Sequence, residues 1–384
     1  MAGARKRERV AERSLTVPGS SKSSLRVESV RWPALDMSHS AMQPASERVT
    51  ILGDGQMSLA LADVLHAGRV STVIWSAFED AAAALDQTRR SHRLPGFILP
   101  DAVRVTAVAR DAVEGATLLV NAIPTQFMRA TWGRIRADVG PIGVPIISVA
   151  KGIETERFCR PSEILTEIMA GPGGTRHGVA VLSGPTIAGE LAHRLPAVLV
   201  AASSDAALAC RAQAVFSSPW TRIYTNDDML GVELAGALKN VIAIAAGVID
   251  GLGLGSNAKS ALLARGLVEM ARFGVALGAK TETFFGVAGV GDLATTCFSP
   301  EGRNRSFGEA IARGEPMEKY LAAGSSASVV EGAPTAKAVV AWAQRIGIEM
   351  PIAEVVHRMV FEGLAPHAAL ADLMQRAAGS ERIA

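Results

Sequence analysis

The sequence predicts an α/β protein in two parts, a doubly wound parallel sheet followed by an all-helical domain, and three observations predict it. A strand, glycine turn, helix, strand run opens at Glu47. Short buried-strand patterns then alternate with helical ones as far as about residue 227, which is the pattern of βαβ units. Beyond that point strand signals stop and long helical segments take over.

In order, "RVTIL" reads as a buried strand, "GDGQMS" as the turn, "LALADVLHAG" as a helix ending at Gly68, and "VSTVIWS" as the second strand. "ATLLVNAIP" and "VPIISVAKG" follow as strands with the helix "TQFMRATWGRIRADV" between them, and "GVAVLSGPT" and "PAVLVAAS" continue the sheet. The helical part runs from "MLGVELAGALKNVIAIAAGVI" through "AKSALLARGLVEMARFGVALG" to "AALADLMQRA". This sets a tail over 1–46, a dinucleotide-binding domain over 47–228 and a helical substrate domain over 229–384, with no internal repeat.

A chain of 384 residues, 49% hydrophobic, can bury two cores. Cys159, Cys210 and Cys297 lie far apart without CxxC spacing, which argues against a disulfide framework or structural zinc and fits a cytoplasmic protein. Lys239, Asp250 and many glycines interrupt every apolar stretch before the roughly 18 residues a membrane span needs. Residues 1–46 hold 8 Lys/Arg and 4 Asp/Glu, so the net charge of +2 comes from the tail and the rest is slightly acidic. That Arg- and Ser-rich tail lacks hydrophobic periodicity and reads as disordered. A start assigned too early, with Met37 or Met42 as the true first residue, is the preferred account; a targeting peptide and a nucleic-acid-binding arm are the others.

Gly53 and Gly55 sit in a strand-to-helix turn, where glycine lets the backbone approach a pyrophosphate at a helix N-terminus. Gln56 and Met57 follow, and Ser58 takes the third position, usually Gly or Ala. This is a Rossmann-like signature, against which a plain glycine turn must be weighed. Ser76 and Ala77, ending the second strand, supply neither an acid for a ribose hydroxyl nor an arginine for a 2′-phosphate, so NAD and NADP both stay open. Lys151 follows a strand at the ligand-binding carboxyl edge, although surface lysines after strands are common. Ser183, Gly184 and Thr186 leave backbone N–H groups available for an anion, or form an ordinary Gly-Pro turn.

In "ELAGALKNVIAIAAGV", Lys239 interrupts an apolar helix, and a cation taken out of water needs a partner. Gly236, Lys239, Ala243 and Ala246 share one helical face, opposite Val241, Ile244 and Val248, so the lysine is expected to overlook a groove for something small. Asp292, directly after Gly289 and Gly291 of "VAGVGDLATTC", which free the backbone around it, suits pairing with Lys239. Arg303 and Asn304 are usual equipment for a phosphate, and Glu331 precedes a helix whose dipole it can complement. Taken singly, each is equally a solvated loop group.

Taken in chain order, Gly53-x-Gly55, "AKG" at Lys151, "SGPT" at Ser183, "LKNVIAI" at Lys239, "GSNAKSALLARG" at Gly255, "GDL" at Asp292, "RNR" at Arg303 and "VVEG" at Val329 resemble the NAD(P)-dependent glycerol-3-phosphate dehydrogenase family, bacterial type, over about residues 48–375. The resemblance implies NAD or NADP as cofactor, reversible reduction of dihydroxyacetone phosphate to sn-glycerol 3-phosphate for glycerophospholipid synthesis, and a homodimer. It implies Lys239 as the general acid/base; Lys151, Gly184, Thr186, Asp292, Gly302, Arg303 and Asn304 as substrate contacts; and Gly53, Gly55, Gln56, Met57, Lys151, Ala188, Arg303, Val329 and Glu331 as cofactor contacts. No metal, nucleic acid or membrane span is implied. The departures, Gln56-Met57-Ser58, Ala77 where a basic residue is common, and "IPT" at Ile123–Thr125, all lie in the cofactor half. Two other readings are a related dehydrogenase acting on another phosphorylated hydroxy compound and a non-catalytic dinucleotide sensor.

Overall fold

The computed structural model describes residues 47–170, 178–316, 320 and 330–377. The tail over 1–46 and Val329 lie outside the described residues. Eight strands form one sheet in the order β3-β2-β1-β4-β5-β6-β7-β8. They are β1 (Arg48–Leu52), β2 (Ser71–Trp75), β3 (Arg104–Thr106), β4 (Leu118–Asn121), β5 (Ile146–Ser148), β6 (Val179–Ser183), β7 (Ala197–Ala202) and β8 (Thr221–Asn226). Between them run α1 (Gln56–Ala67), α2 (Glu79–Thr88), α3 (Ala109–Val113), α4 (Thr125–Val139), α5 (Pro161–Met169), α6 (Ala188–Ala192) and α7 (Ala206–Phe216). The order reverses between β1 and β4, so the carboxyl ends of those two strands flank the crevice where open α/β sheets take ligands.

Every neighbouring pair is parallel except β6 and β7, which run antiparallel. The fully parallel sheet expected from the alternation is therefore corrected at one pair. The only helix between these strands is the five-residue α6, too short to carry the chain back along the sheet as a crossover must. Two strands escape the hydrophobic pattern. β3 has three residues, and β8, TRIYTN, is an edge strand that buries alternate positions only at its start.

Helices α8 (Met229–Gly251), α9 (Gly255–Ala276), α10 (Thr281–Phe285), α11 (Asp292–Phe298), α12 (Arg303–Ala312), α13 (Gly332–Ile346), α14 (Pro351–Phe361) and α15 (Pro366–Met374) make the second layer, with a π-helical turn over Val287–Gly291. α8 is apolar and long enough to cross a bilayer, but 94% of its most apolar window is buried within the protein, so it is a core helix. Its two faces do not divide into groove and core as the helical wheel suggested: Val241, Ala243, Ile244, Ala246 and Val248 are all buried in one cluster with α9, α13 and α14. Glycine brings α12 against it. A Cβ at Gly247 would lie 1.9 Å from the Arg305 carbonyl oxygen, and one at Gly308 would lie 2.0 Å from that of Ile244.

Candidate active site

Lys239 lies in the middle of α8 and is only 5% exposed. Its ammonium ion-pairs with the Asp292 carboxylate and donates to the Thr296 hydroxyl at 2.7 Å. Asp292, first residue of α11, stands where the π-helical turn meets that helix. The turn requires glycine at 289, where a Cβ would lie 2.0 Å from the Phe284 carbonyl oxygen of the preceding helix. The other oxygen of the same carboxylate accepts from Lys151 at 2.6 Å, and Lys151 also donates to the Gly184 carbonyl at 3.1 Å.

Two ammonium groups from different layers thus share one carboxylate whose side chain is 1% exposed. Burial lowers the pKa of Lys239 to about 8, Asp292 opposes that shift, and the neighbouring Lys151 adds to it.

Lys151 is placed by its loop. Trp132 donates to the Asn121 side chain at 2.8 Å, Asn121 donates to the Ser148 hydroxyl at 3.0 Å, and that hydroxyl accepts from the Ala150 N–H at 3.3 Å. At Gly236 of α8 a Cβ would press on the Ser183 hydroxyl at 3.2 Å, while it would touch the lysine stem at an ordinary 3.5 Å. Gly184 has φ +136°, and a Cβ on it would sit 2.9 Å from the Val198 carbonyl oxygen, so this position demands glycine. Thr186 donates to the Gly184 carbonyl at 3.1 Å.

Opposite, α12 begins at Arg303 after Gly302, with no acidic residue in its first turn and no side-chain cap. Among the described residues the Arg303 guanidinium makes no hydrogen bond or ion pair, and the residue is exposed. Asn304 is buried and accepts from the Gly332 N–H at 2.9 Å through its carbonyl oxygen. Burial pushes the carboxyl of Glu331 above the usual range, while Arg303, Lys151 and Lys239 pull the other way, so all three cations lie within electrostatic reach of it. A helix N-terminus, a free guanidinium and two ammonium groups around one space are equipment for a small phosphorylated compound whose oxygen must gain or lose a proton.

A family model described as NAD-dependent glycerol-3-phosphate dehydrogenase N-terminus matches residues 48–209, and its C-terminus counterpart matches residues 228–371. The chain belongs to the NAD-dependent glycerol-3-phosphate dehydrogenase family. It is 44% identical over 332 residues to a glycerol-3-phosphate dehydrogenase [NAD(P)+] of Thermus thermophilus, covering 86% of this chain and 98% of that protein. It is 40% identical over 330 residues to one of Chlorobium phaeobacteroides, covering 86% and 97%. A solved glycerol-3-phosphate dehydrogenase from Coxiella burnetii superposes with a TM-score of 0.79 at 34% identity, covering 86% of this chain and 99% of that one.

The glycine turn fits the dinucleotide this family uses. Gly53 has φ +120°, and a Cβ there would lie 2.9 Å from the Ala122 carbonyl oxygen at the end of β4. Gly55 caps α1 with open space beside it, and the first turn of that helix carries no acid and no side-chain cap. Met57 and Ala188 pack against one small cluster with Leu191 and Trp220, which joins α1 to α6 beside the turn. Ser58 is fully buried and its hydroxyl has no partner, so it serves as the small residue packing helix on sheet that Gly or Ala supplies elsewhere. Gln56 faces outward and donates through its side-chain amide to the Arg93 carbonyl.

Two residues at the site, Thr296 and Asn240, were not singled out by the sequence reading, and for a third, Ser183, the reading concerned only the backbone. Thr296 is one turn beyond Asp292 and became visible only through the Lys239 contact. The side-chain nitrogen of Asn240 and the Ser183 hydroxyl are buried without partners. The "KN" and "SGPT" motifs contained both residues, but nothing in the sequence showed that folding leaves their polar atoms unsatisfied.

Proposed function

We propose that this chain carries out reversible reduction of dihydroxyacetone phosphate to sn-glycerol 3-phosphate, with Lys239 as the group that exchanges a proton with the C2 oxygen. Bound NADH or NADPH supplies the hydride equivalent that C2 receives. The observation that carries the reading is the carboxylate of Asp292 held between Lys239 and Lys151. It orients both ammonium groups, and burial brings the pKa of Lys239 to about 8, where the amine can both give and take a proton near neutrality. The positive charge of Lys151 beside it favours the developing alkoxide.

Arg303, Asn304 and the backbone N–H groups opening α12, after Gly302, hold the phosphate. That contact, remote from C2, supplies binding energy that orients a very small substrate. Gly184 and Thr186 line the substrate side; Gly53, Gly55, Gln56, Met57, Ala188, Arg303 and Glu331 face the coenzyme, and Val329, outside the described residues, is assigned to the coenzyme from the sequence alone. On this reading residues 47–228 hold the dinucleotide and 229–384 the substrate, and the protein works as a cytoplasmic homodimer feeding glycerophospholipid synthesis.

The test follows reduced-nicotinamide absorbance with dihydroxyacetone phosphate, using NADH and NADPH in parallel, for wild type and Lys239→Ala. Loss of a general acid predicts a fall in kcat of about 10²–10⁴-fold. An alanine variant turning over at the wild-type rate sinks the assignment.

A further inference from the structure

Ser76 and Ala77, the residues that follow β2, bear no charged group to distinguish a ribose hydroxyl from a ribose phosphate, yet in doubly wound sheets that distinction is made beside the end of this strand. The structure fills the gap from elsewhere. The loop after α2 folds back over the sheet, anchored by Leu94 and Leu99, which are 5% and 0% exposed. A hydrogen bond from the Leu99 N–H to the Arg89 carbonyl at 2.8 Å closes it. This carries Arg93 to the glycine turn, where its guanidinium lies 3.7 Å from the Asp54 carboxylate. Asp54 is fixed in turn by the Ser76 hydroxyl, which donates to it at 3.1 Å, and Gln56 donates to the Arg93 backbone carbonyl. Arg93, Asp54 and Ser76 therefore meet at the junction of the β1 turn and the β2 end.

We infer that Arg93 is the specificity-determining residue for the coenzyme, reading the 2′-phosphate of NADP in place of the basic residue missing at Ala77. The inference rests on the dehydrogenase reading above and deepens it from NAD or NADP to a preference for NADP. Three features support it. The contact with Asp54 is single and long, so most of the five donors of the guanidinium remain available. The Arg93 side chain is 39% exposed, open to a ligand, whereas that of Asp54 is 12% exposed. α1 has no acid in its first turn, and Glu79 and Asp80, which open α2 on the other side, form no ion pair with Arg93 among the described residues. The competing possibility, that Asp54 accepts from the ribose hydroxyls and selects NAD while Arg93 is only its surface partner, predicts the opposite behaviour of the same two residues.

Calorimetric titration of the full chain with 2′,5′-ADP and with 5′-AMP separates them, because these fragments differ only by the 2′-phosphate. Wild type is expected to bind 2′,5′-ADP at least about tenfold tighter, the order of one charge-assisted guanidinium contact. Arg93→Gln should erase that difference while leaving 5′-AMP affinity within twofold, and Arg93→Lys should restore part of it. Asp54→Asn should keep or strengthen 2′,5′-ADP binding. The inference is overturned if wild type shows no preference, if neither fragment binds, if Arg93→Gln keeps the preference or loses both fragments alike, or if Asp54→Asn weakens 5′-AMP binding. Fragment binding does not depend on Lys239. Turnover with either coenzyme alongside absent discrimination therefore overturns only this inference, and discrimination without turnover overturns only the catalytic reading.

Discussion

Lys239 stands almost out of contact with water, and its ammonium survives there because Asp292 and Thr296 receive it. Burial is the larger influence and lowers its pKa from 10.5 to about 8. A lysine that protonates the C2 oxygen must start as the ammonium, so kcat for reduction of dihydroxyacetone phosphate should fall as pH rises through about 8. Oxidation of glycerol 3-phosphate needs the free amine and should rise through the same pH. Measuring both directions from pH 6 to 10 checks this: opposite limbs sharing one midpoint are expected, and a common limb or a midpoint near 10.5 contradicts the role. At this scale the sequence was readable for the groups that bear charge, since an apolar helix interrupted by a lysine demands a carboxylate, and Asp292 was the natural partner. It was silent about Lys151 sharing that carboxylate, because residues 141 positions apart in the chain meet there.

Between elements, the placing of chemistry depends on how helices begin and how closely they approach. α12 delivers Arg303 and Asn304 because Gly247, Gly251 and Gly308 let it press against α8; each of these positions would drive a Cβ into the other helix. Their role was not legible from the sequence, where they read simply as breaks in an apolar run. α14 shows the opposite device. Its first turn is capped by a distant side chain, Glu269 of α9, which accepts from the Ile352 and Ala353 N–H groups, each at 2.9 Å. Burial pushes this carboxyl up to about 7, opposed by those two hydrogen bonds. The raised value means that the folded state holds a proton the unfolded chain has lost between pH 4.5 and 7. The destabilisation is therefore complete above about pH 7 and relieved as pH falls toward 4.5, by about 3 kcal/mol at ~1.4 kcal/mol per unit. Against Glu269→Gln, which does not titrate, wild-type Tm should gain as the buffer goes from pH 8 to 5; calorimetric scans showing the reverse would refute this account.

Across the whole molecule, the two layers are joined by a buried charge cluster as well as by apolar packing. Glu233 of α8 accepts from the Arg160 guanidinium at 2.5 Å, from the Ser162 N–H at 2.8 Å and from the Ser162 hydroxyl at 2.6 Å. Burial raises the pKa of the carboxyl, and Arg160 is the strongest force holding it down. Arg160→Ala should destabilise the protein by about 3–5 kcal/mol, as breaking a buried pair does, and the double variant with Glu233→Gln should recover most of that loss. Urea unfolding of the three proteins checks it; equal stabilities for single and double variants would mean that the charge is not what matters.

The antiparallel β6–β7 pair, the edge strand β8 and the turn of the loop that brings Arg93 to Asp54 were not legible, because each follows from connection length and packing rather than from periodicity. The sequence by itself determined which residues carry charge, where the glycine turn lies and that helices follow the sheet, since these are properties of neighbours along the chain. Only the tertiary structure decided which cations share a carboxylate and which polar atoms lose their water, because both depend on residues that become neighbours when the two layers close on each other.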